Sequence, residues 1–298
     1  MTHSKKIVLS ASRRTDIPAF YMHWFMEQIK RGEFEVINPF SHRTSRIAAS
    51  ADAVHSIVFW SKNFAPFLDG NHGEKLLEMG YHLYFSFSVN SHAPYLEPRV
   101  PPLEEKLRQL KTLSSRFDPR WIDWRFDPIC FYKTGNSTIK NNLHDFKRIA
   151  EAAAAAGIER CITSFMDHYR KIKRRIQSMV GFSFVDPVLE EKIDILLNMN
   201  ETLKKLGIQL LLCCEKELLE ALPTGTGIGK SSCIPNHRLK QLFGGDIALE
   251  KDRGQRVKAG CGCGVSVDIG SYHFHPCPHG CIFCYANPLL DENNPRSS

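Results

Sequence analysis

The chain lacks any run of about twenty apolar residues, the length that crosses a bilayer as a helix, so no membrane-spanning helix is expected. Its opening, MTHSKKIVLSASRR, has basic residues but no apolar stretch long enough for a secretory leader. A cytoplasmic location is therefore the expectation. No internal repeat or low-complexity tract occurs, which argues against a solenoid, and no Pro/Gly linker divides the chain into equal halves. Dense charge of one sign is scarce as well. The formal charge of +7 is spread along the sequence, so a solvated surface is expected before a nucleic-acid face. The one basic run, Arg170-Lys171-Ile172-Lys173-Arg174-Arg175, reads as an exposed turn or helix face.

What is present is a globular composition: 298 residues, 43% hydrophobic and 24% charged, enough to bury a full core. Short apolar runs, Ile7-Ser10, Ile57-Trp60, Leu83-Val89, Ile122-Phe126, Cys161-Phe165, Gln209-Cys214 and Val265-Ile269, alternate with helical patterns. Continuous hydrophobicity of this kind belongs to strands covered on both faces. Helices are predicted over 18–31, 139–156 and 187–206, each stopped by a glycine at 32, 157 or 207. The reading is an α/β chain built as a full or partial parallel (β/α) barrel. Residues 1–222 supply barrel strands and helices, and 223–298 form a Cys-rich segment completing the same domain. Within it, 223–264 reads as irregular and held by metal rather than by a large core, Gly225-Thr226-Gly227-Ile228-Gly229 as a flexible loop, and the last dozen residues as a loose tail.

Ten cysteines are many for a reducing compartment, and six of them, Cys233, Cys261, Cys263, Cys277, Cys281 and Cys284, fall in the last quarter of the chain. Metal ligation is a better reading than disulfides. The sharpest signal is Cys277-Pro278-His279-Gly280-Cys281-Ile282-Phe283-Cys284, a C-x3-C-x2-C run just after a predicted strand. Three thiolates on one short loop can hold three irons of a [4Fe-4S] cubane and leave the fourth iron open, and Gly280 would allow the loop to turn tightly. A structural zinc bound by the three cysteines with His275 or His279 is the competing assignment. Upstream, Cys261 and Cys263 share a Gly-rich turn. With Cys233 and Cys214 they could bind a second iron–sulfur cluster or a zinc, or be ordinary thiols flanking the first centre. Cys130, Cys161 and Cys213 read as buried hydrophobes.

In a (β/α) barrel the polar residues just past the strands' C-terminal ends meet the substrate. They are Arg13, Arg14 and Asp16, then Lys62 and Asn63, Arg125 and Asp127, Ser164 and Asp167, and Glu215. Arg13, Arg14, Lys62 and Asp127 are the candidate catalytic residues, while Asp16, Asn63, Arg125 and Glu215 are candidates for holding a cofactor. A ring of rim salt bridges is the structural alternative.

The spacing of the last three cysteines, with an aromatic residue before the third, resembles the radical S-adenosylmethionine superfamily. That likeness implies S-adenosylmethionine as small-molecule cofactor, a 5′-deoxyadenosyl radical acting on an unknown substrate, a nucleic acid or nucleotide among the options, and an electron donor such as a flavodoxin or ferredoxin. Members usually carry the motif after the first barrel strand and also a Gly-Gly-Glu signature, which is not recognisable here. With the motif at the end of the chain, the implied arrangement is a circularly permuted barrel whose cluster-binding strand comes last and sits beside Ile7-Ser10. A non-catalytic metal-binding protein and an electron-transfer or redox-sensing module remain the alternatives. More narrowly, Ser10-Ala11-Ser12-Arg13-Arg14-Thr15-Asp16-Ile17-Pro18, Phe59-Trp60-Ser61-Lys62-Asn63, Arg125-Phe126-Asp127-Pro128, Cys261-Gly262-Cys263, Asp268-Ile269-Gly270 and Cys281-Ile282-Phe283-Cys284-Tyr285-Ala286-Asn287 resemble the domain-of-unknown-function family 1848 along nearly the whole chain. The resemblance supplies no reaction.

Overall fold

The computed structural model describes residues 5–38, 41–135 and 138–286. The expected loose tail and Asn287 lie outside this range. Eight parallel strands form one sheet: β1 (Ile7–Ala11), β2 (Val54–Ser61), β3 (His82–Ser88), β4 (Ile122–Ile129), β5 (Arg160–Phe165), β6 (Gln209–Leu212), β7 (Gly229–Lys230) and β8 (Val267–Asp268). Their order across the sheet is β7-β6-β5-β4-β3-β2-β1-β8, so strand order follows chain order except that the last strand lies outside the first. Every predicted strand is in this sheet, and β8 pairs with β1 through Leu9 with Val267 and Ser10 with Asp268. A closed barrel is not shown. Among the described residues the two-residue edge strands β7 and β8 do not pair with each other.

Both faces of the sheet are covered, as the sequence suggests. Leu83, Phe85 and Phe87 of β3 turn to a large aromatic core with Phe59, Phe64, Phe67, Trp124 and Phe126. Edge-to-face contacts, such as Phe64 with Phe87 at 5.0 Å between centroids, fill it. Each such ring contributes about 1.5–3 kcal/mol of burial. Helices α1 (Ile17–Phe20), α2 (Met22–Arg31), α3 (Leu103–Arg116), α4 (Phe146–Ala155), α5 (Arg170–Gln177) and α6 (Leu189–Lys205) include the predicted ones with shifted limits. The first predicted helix is broken at Tyr21 because Asp16 caps a separate short turn through Ala19 N–H. The second starts late because Lys140–Asn141 pairs with Phe131 and Tyr132 as a strand. An antiparallel hairpin of Glu33–Ile37 with Thr44–Ala48 was not foreseen.

The opposite face presents Val8, Val58, Tyr84, Ile162 and Leu211, covered by Ile234, Leu239 and Ile247. Segment 223–264 therefore contributes apolar core and a helix, Asn236–Phe243, where an irregular stretch without much core was expected. The cause is visible in the sequence: Leu239 and Ile247 have an apolar sheet face to bury against.

Candidate metal centre and cavity

The cysteine loop is aimed by one buried carboxylate. Asp268, on β8, accepts hydrogen bonds from Ser10 Oγ (3.0 Å), Ser12 Oγ (2.5 Å) and Arg13 N–H (2.8 Å). Arg13 Nε (3.4 Å) and Arg14 Nε (3.8 Å) neutralise it. A strand with two pairing residues is thus fastened to β1 by charge and hydrogen bonding. Beyond it the chain is pinned repeatedly. His275 packs against Trp24 at 4.1 Å, Tyr21 donates to Pro276 O, and His279 Nε2 lies 2.9 Å from Asp16 Oδ2. Gly280 makes the turn with φ 69°. Arg175 donates to Ile282 O (2.7 Å), Cys284 O (3.0 Å) and Cys281 O (3.4 Å), and Tyr285 donates to Arg13 O.

This pinning turns Cys277, Cys281 and Cys284 into a cavity of about 720 Å³ at the C-terminal ends of the strands. A drug-sized or nucleoside-sized ligand fits such a volume. Cys281 is buried and the other two are half-buried. Burial pushes the Cys277 thiol up to about 12 and that of Cys281 well above its usual value. As free thiols they are therefore protonated and poor nucleophiles, and a bound metal would displace those protons.

A second sulfur group lines the same cavity: Cys213, Cys214, Cys233, Cys261 and Cys263. Cys213 Sγ lies 3.2 Å from Cys233 Sγ. Thiol contacts then run from Cys233 to Cys263, Cys261, Cys214 and back to Cys213, so that the five close a ring. Arg125 Nη1 reaches Cys233 Sγ at 3.4 Å. Contacts from Cys213 and Cys263, with the Arg125 charge, hold the Cys233 thiol well below its ordinary value. Among the described residues no three His, Cys, Asp or Glu side chains gather as closely as the ligands of a single ion. Tetrahedral zinc would need its sulfurs about 3.8 Å from one another, given Zn–S bonds of about 2.3 Å. Cys213 and Cys233 stand closer than that edge, and the corners of a cubane stand farther apart still, so the sulfurs would have to separate to load either centre.

The sequence profile of a family described as a domain of unknown function (DUF1848) matches residues 8–286. The chain belongs to this family. A search of the curated proteins finds no match.

In this DUF1848 chain most of the sequence-predicted site residues meet around the cavity: Arg13, Arg14, Asp16, Lys62, Arg125, Asp127, Ser164 and Asp167 all line it. Asp16 is spent on structure, accepting from Ser61 Oγ (2.7 Å) and Lys62 N–H (2.9 Å) besides meeting His279. Burial opposes the charge of Lys62, but Glu97 at 2.6 Å more than restores it, so the amine titrates above its usual value. Arg125 and Asp127 form an ion pair at 2.5 Å, with Ser164 Oγ donating to the other Asp127 oxygen. Asn63 is not on the cavity wall. Its Oδ1 accepts from Ala65 N–H and Gln109 Nε2, which makes it a fold-holding amide. Glu215 is also off the wall, accepting from Phe165 N–H at 2.8 Å, and burial raises its carboxyl to about 7. Cys130, Cys161 and Cys213 are buried in apolar clusters as expected, and Cys213 also meets Cys233 in the thiol ring. Asp268, Glu97 and Arg175 were missed as site-building residues, and His279, read as a possible zinc ligand, instead anchors the loop on Asp16. Asp268 sits inside a quoted motif and could have been found there, while Glu97 and Arg175 carry no local signal.

Proposed function

We propose that this chain is an iron–sulfur enzyme of the radical S-adenosylmethionine type, built on a circularly permuted partial barrel. The observation carrying the proposal is that the C-x3-C-x2-C loop follows the strand beside β1 and turns all three cysteines into the large cavity at the strands' C-terminal ends. Cys277, Cys281 and Cys284 would hold the cluster, which, once reduced by an electron donor, would supply the electron that cleaves the carbon–sulfur bond of S-adenosylmethionine to methionine and a 5′-deoxyadenosyl radical.

The chain's own residues supply the setting. Arg175 and His279 fix the loop, and Phe283 packs beneath the Lys62 amine at 5.4 Å, keeping water from the sulfurs. Arg13 Nη1 is buried in the cavity wall with no hydrogen-bond partner among the described residues, as is Trp60 Nε1. Both are donors waiting for a ligand acceptor, such as a carboxylate. Arg14, Arg170 and Lys171 add positive charge around the same cavity, while Arg256 is paired with Asp167. A substrate carrying phosphate, a nucleotide or nucleic-acid segment, is the partner class this favours.

The test is anaerobic purification with iron and sulfide counting, then reduction by dithionite with S-adenosylmethionine. Formation of 5′-deoxyadenosine, lost in Cys281→Ser, is the expected result. A zinc protein, or a brown protein inert toward S-adenosylmethionine, overturns the proposal.

A further inference from the structure

The proposed chemistry uses three cysteines, yet five more thiols line the same cavity and have no part in it. We propose that Cys213, Cys214, Cys233, Cys261 and Cys263 form a second metal–thiolate centre that holds an iron–sulfur cluster of its own. The reading is independent of the first centre, because it rests on different chain segments.

Three observations carry it. First, the sulfurs come from three separate stretches, the end of β6, the loop before Asn236–Phe243, and the Gly-rich turn, and each touches two neighbours. Ordinary buried thiols need no such convergence.

Second, the backbone is shaped to achieve it. Cys214 adopts φ 60°, a left-handed conformation that costs a residue with a Cβ, and this lets two consecutive thiols reach one ring. A Cβ on Gly264 would lie 2.3 Å from Asn236 Cγ, and one on Gly262 would lie 2.8 Å from Ser231 O. Glycine there allows the turn bearing Cys261 and Cys263 to press onto the segment bearing Cys233.

Third, a buried donor reaches one of the sulfurs. The guanidinium of Arg125, paired with Asp127, donates to Cys233 Sγ at 3.4 Å, and donors to sulfur are a recognised way of tuning a cluster.

Five thiols exceed the four that a cubane takes, and the consecutive pair Cys213 and Cys214 contains the spare. Loading would release the thiol protons.

The experiment compares iron and acid-labile sulfide per chain, after anaerobic reconstitution with ferrous iron and sulfide, in three proteins. Wild type should hold about eight of each, as two cubanes require. The triple variant Cys277→Ser/Cys281→Ser/Cys284→Ser should keep about half, with the brown colour of a cluster. Cys261→Ser/Cys263→Ser should lose the other half. The count on unaltered protein tests the proposal even if a variant fails to fold. An iron-free triple variant, zinc in place of iron, or a Cys213–Cys233 disulfide found by mass spectrometry overturns it. If instead the triple variant loses no iron at all, the first centre fails while this one stands.

Discussion

Asp268 offers the most searching perturbation, because everything said of the cysteine loop depends on β8 lying beside β1. Pairing between the two strands covers only two residues, so the carboxylate is the main fastening. Replacing Asp268 with Ala leaves Arg13 and Arg14, with side chains 14% and 16% exposed, short of their counter-charge, and Ser10 Oγ without its acceptor. Breaking a buried pair in this way costs about 3–5 kcal/mol. Arg13 keeps Asp252 at 3.8 Å, which sets the expectation near the lower limit, at about 3 kcal/mol. For a chain of this size each kcal/mol shifts Tm by roughly 2–4 °C, so a fall of roughly 10 °C is expected. Asp268→Asn keeps the volume and some hydrogen bonding, and should lose about half as much. Urea denaturation with far-ultraviolet circular dichroism gives the free energies, and a parallel iron count on anaerobically prepared protein should fall with them. A cost below about 1 kcal/mol for Asp268→Ala, or an unchanged iron count, would refute the idea that this carboxylate holds the loop in place.

Three further outcomes are expected. Gly264→Ala drives a Cβ to 2.3 Å from Asn236 Cγ and should cost about 1–3 kcal/mol. By contrast Gly32→Ala meets nothing within 4 Å and should show only the strain of its φ of 78°, about 1 kcal/mol; thermal melts compare the two. Arg175→Ala leaves Ile282 O and Cys284 O without their donor, for a loss of about 2–4 kcal/mol and faster release of bound iron to a chelator, whereas Arg175→Lys should recover part of both. Burial, with smaller contributions from His82 and Lys6 against the Gly244 carbonyl, lowers the pKa of His55 from its usual value near 6.5. The unfolded chain then binds the proton first as pH falls, so stability is full above about 6.5 and is lost below it. His55→Gln should flatten that part of the urea-midpoint profile between pH 7.5 and pH 5, and an unchanged slope would count against it.

The parallel sheet was legible because a strand buried on both faces must be apolar throughout, and seven such runs stood out between helical patterns. The place of β8 beside β1 followed from reading a parallel barrel, in which the last strand lies next to the first. The small antiparallel hairpin of Glu33–Ile37 with Thr44–Ala48 was not legible, because a strand as exposed as Thr44–Ala48 has no apolar run to announce it. Nor was the sheet's openness: runs of β-branched residues fix strands, not whether the edge strands meet.

At the cavity several placements follow the two-residue period of a strand, although Glu215, of the same parity as Cys213, turns off the wall to Phe165 N–H. Arg125 and Asp127 alternate with the core residues Trp124 and Phe126, and both line the cavity. Lys62 lies two residues beyond Trp60 and lines it too, while Asn63, one residue on, turns to Gln109. Reading position alone placed Lys62 and Asn63 together; reading parity would have separated them. By the same rule Cys213, two residues beyond Leu211, shares its face of the sheet, lying in the apolar cluster there and touching Cys233. Cys214 should then have pointed away, and it does not, because its left-handed backbone swings the second thiol back toward the first. That reversal has no signature in the sequence. A residue with a Cβ held in that conformation needs a compensating gain, and the ring of sulfurs it completes is where the gain is found.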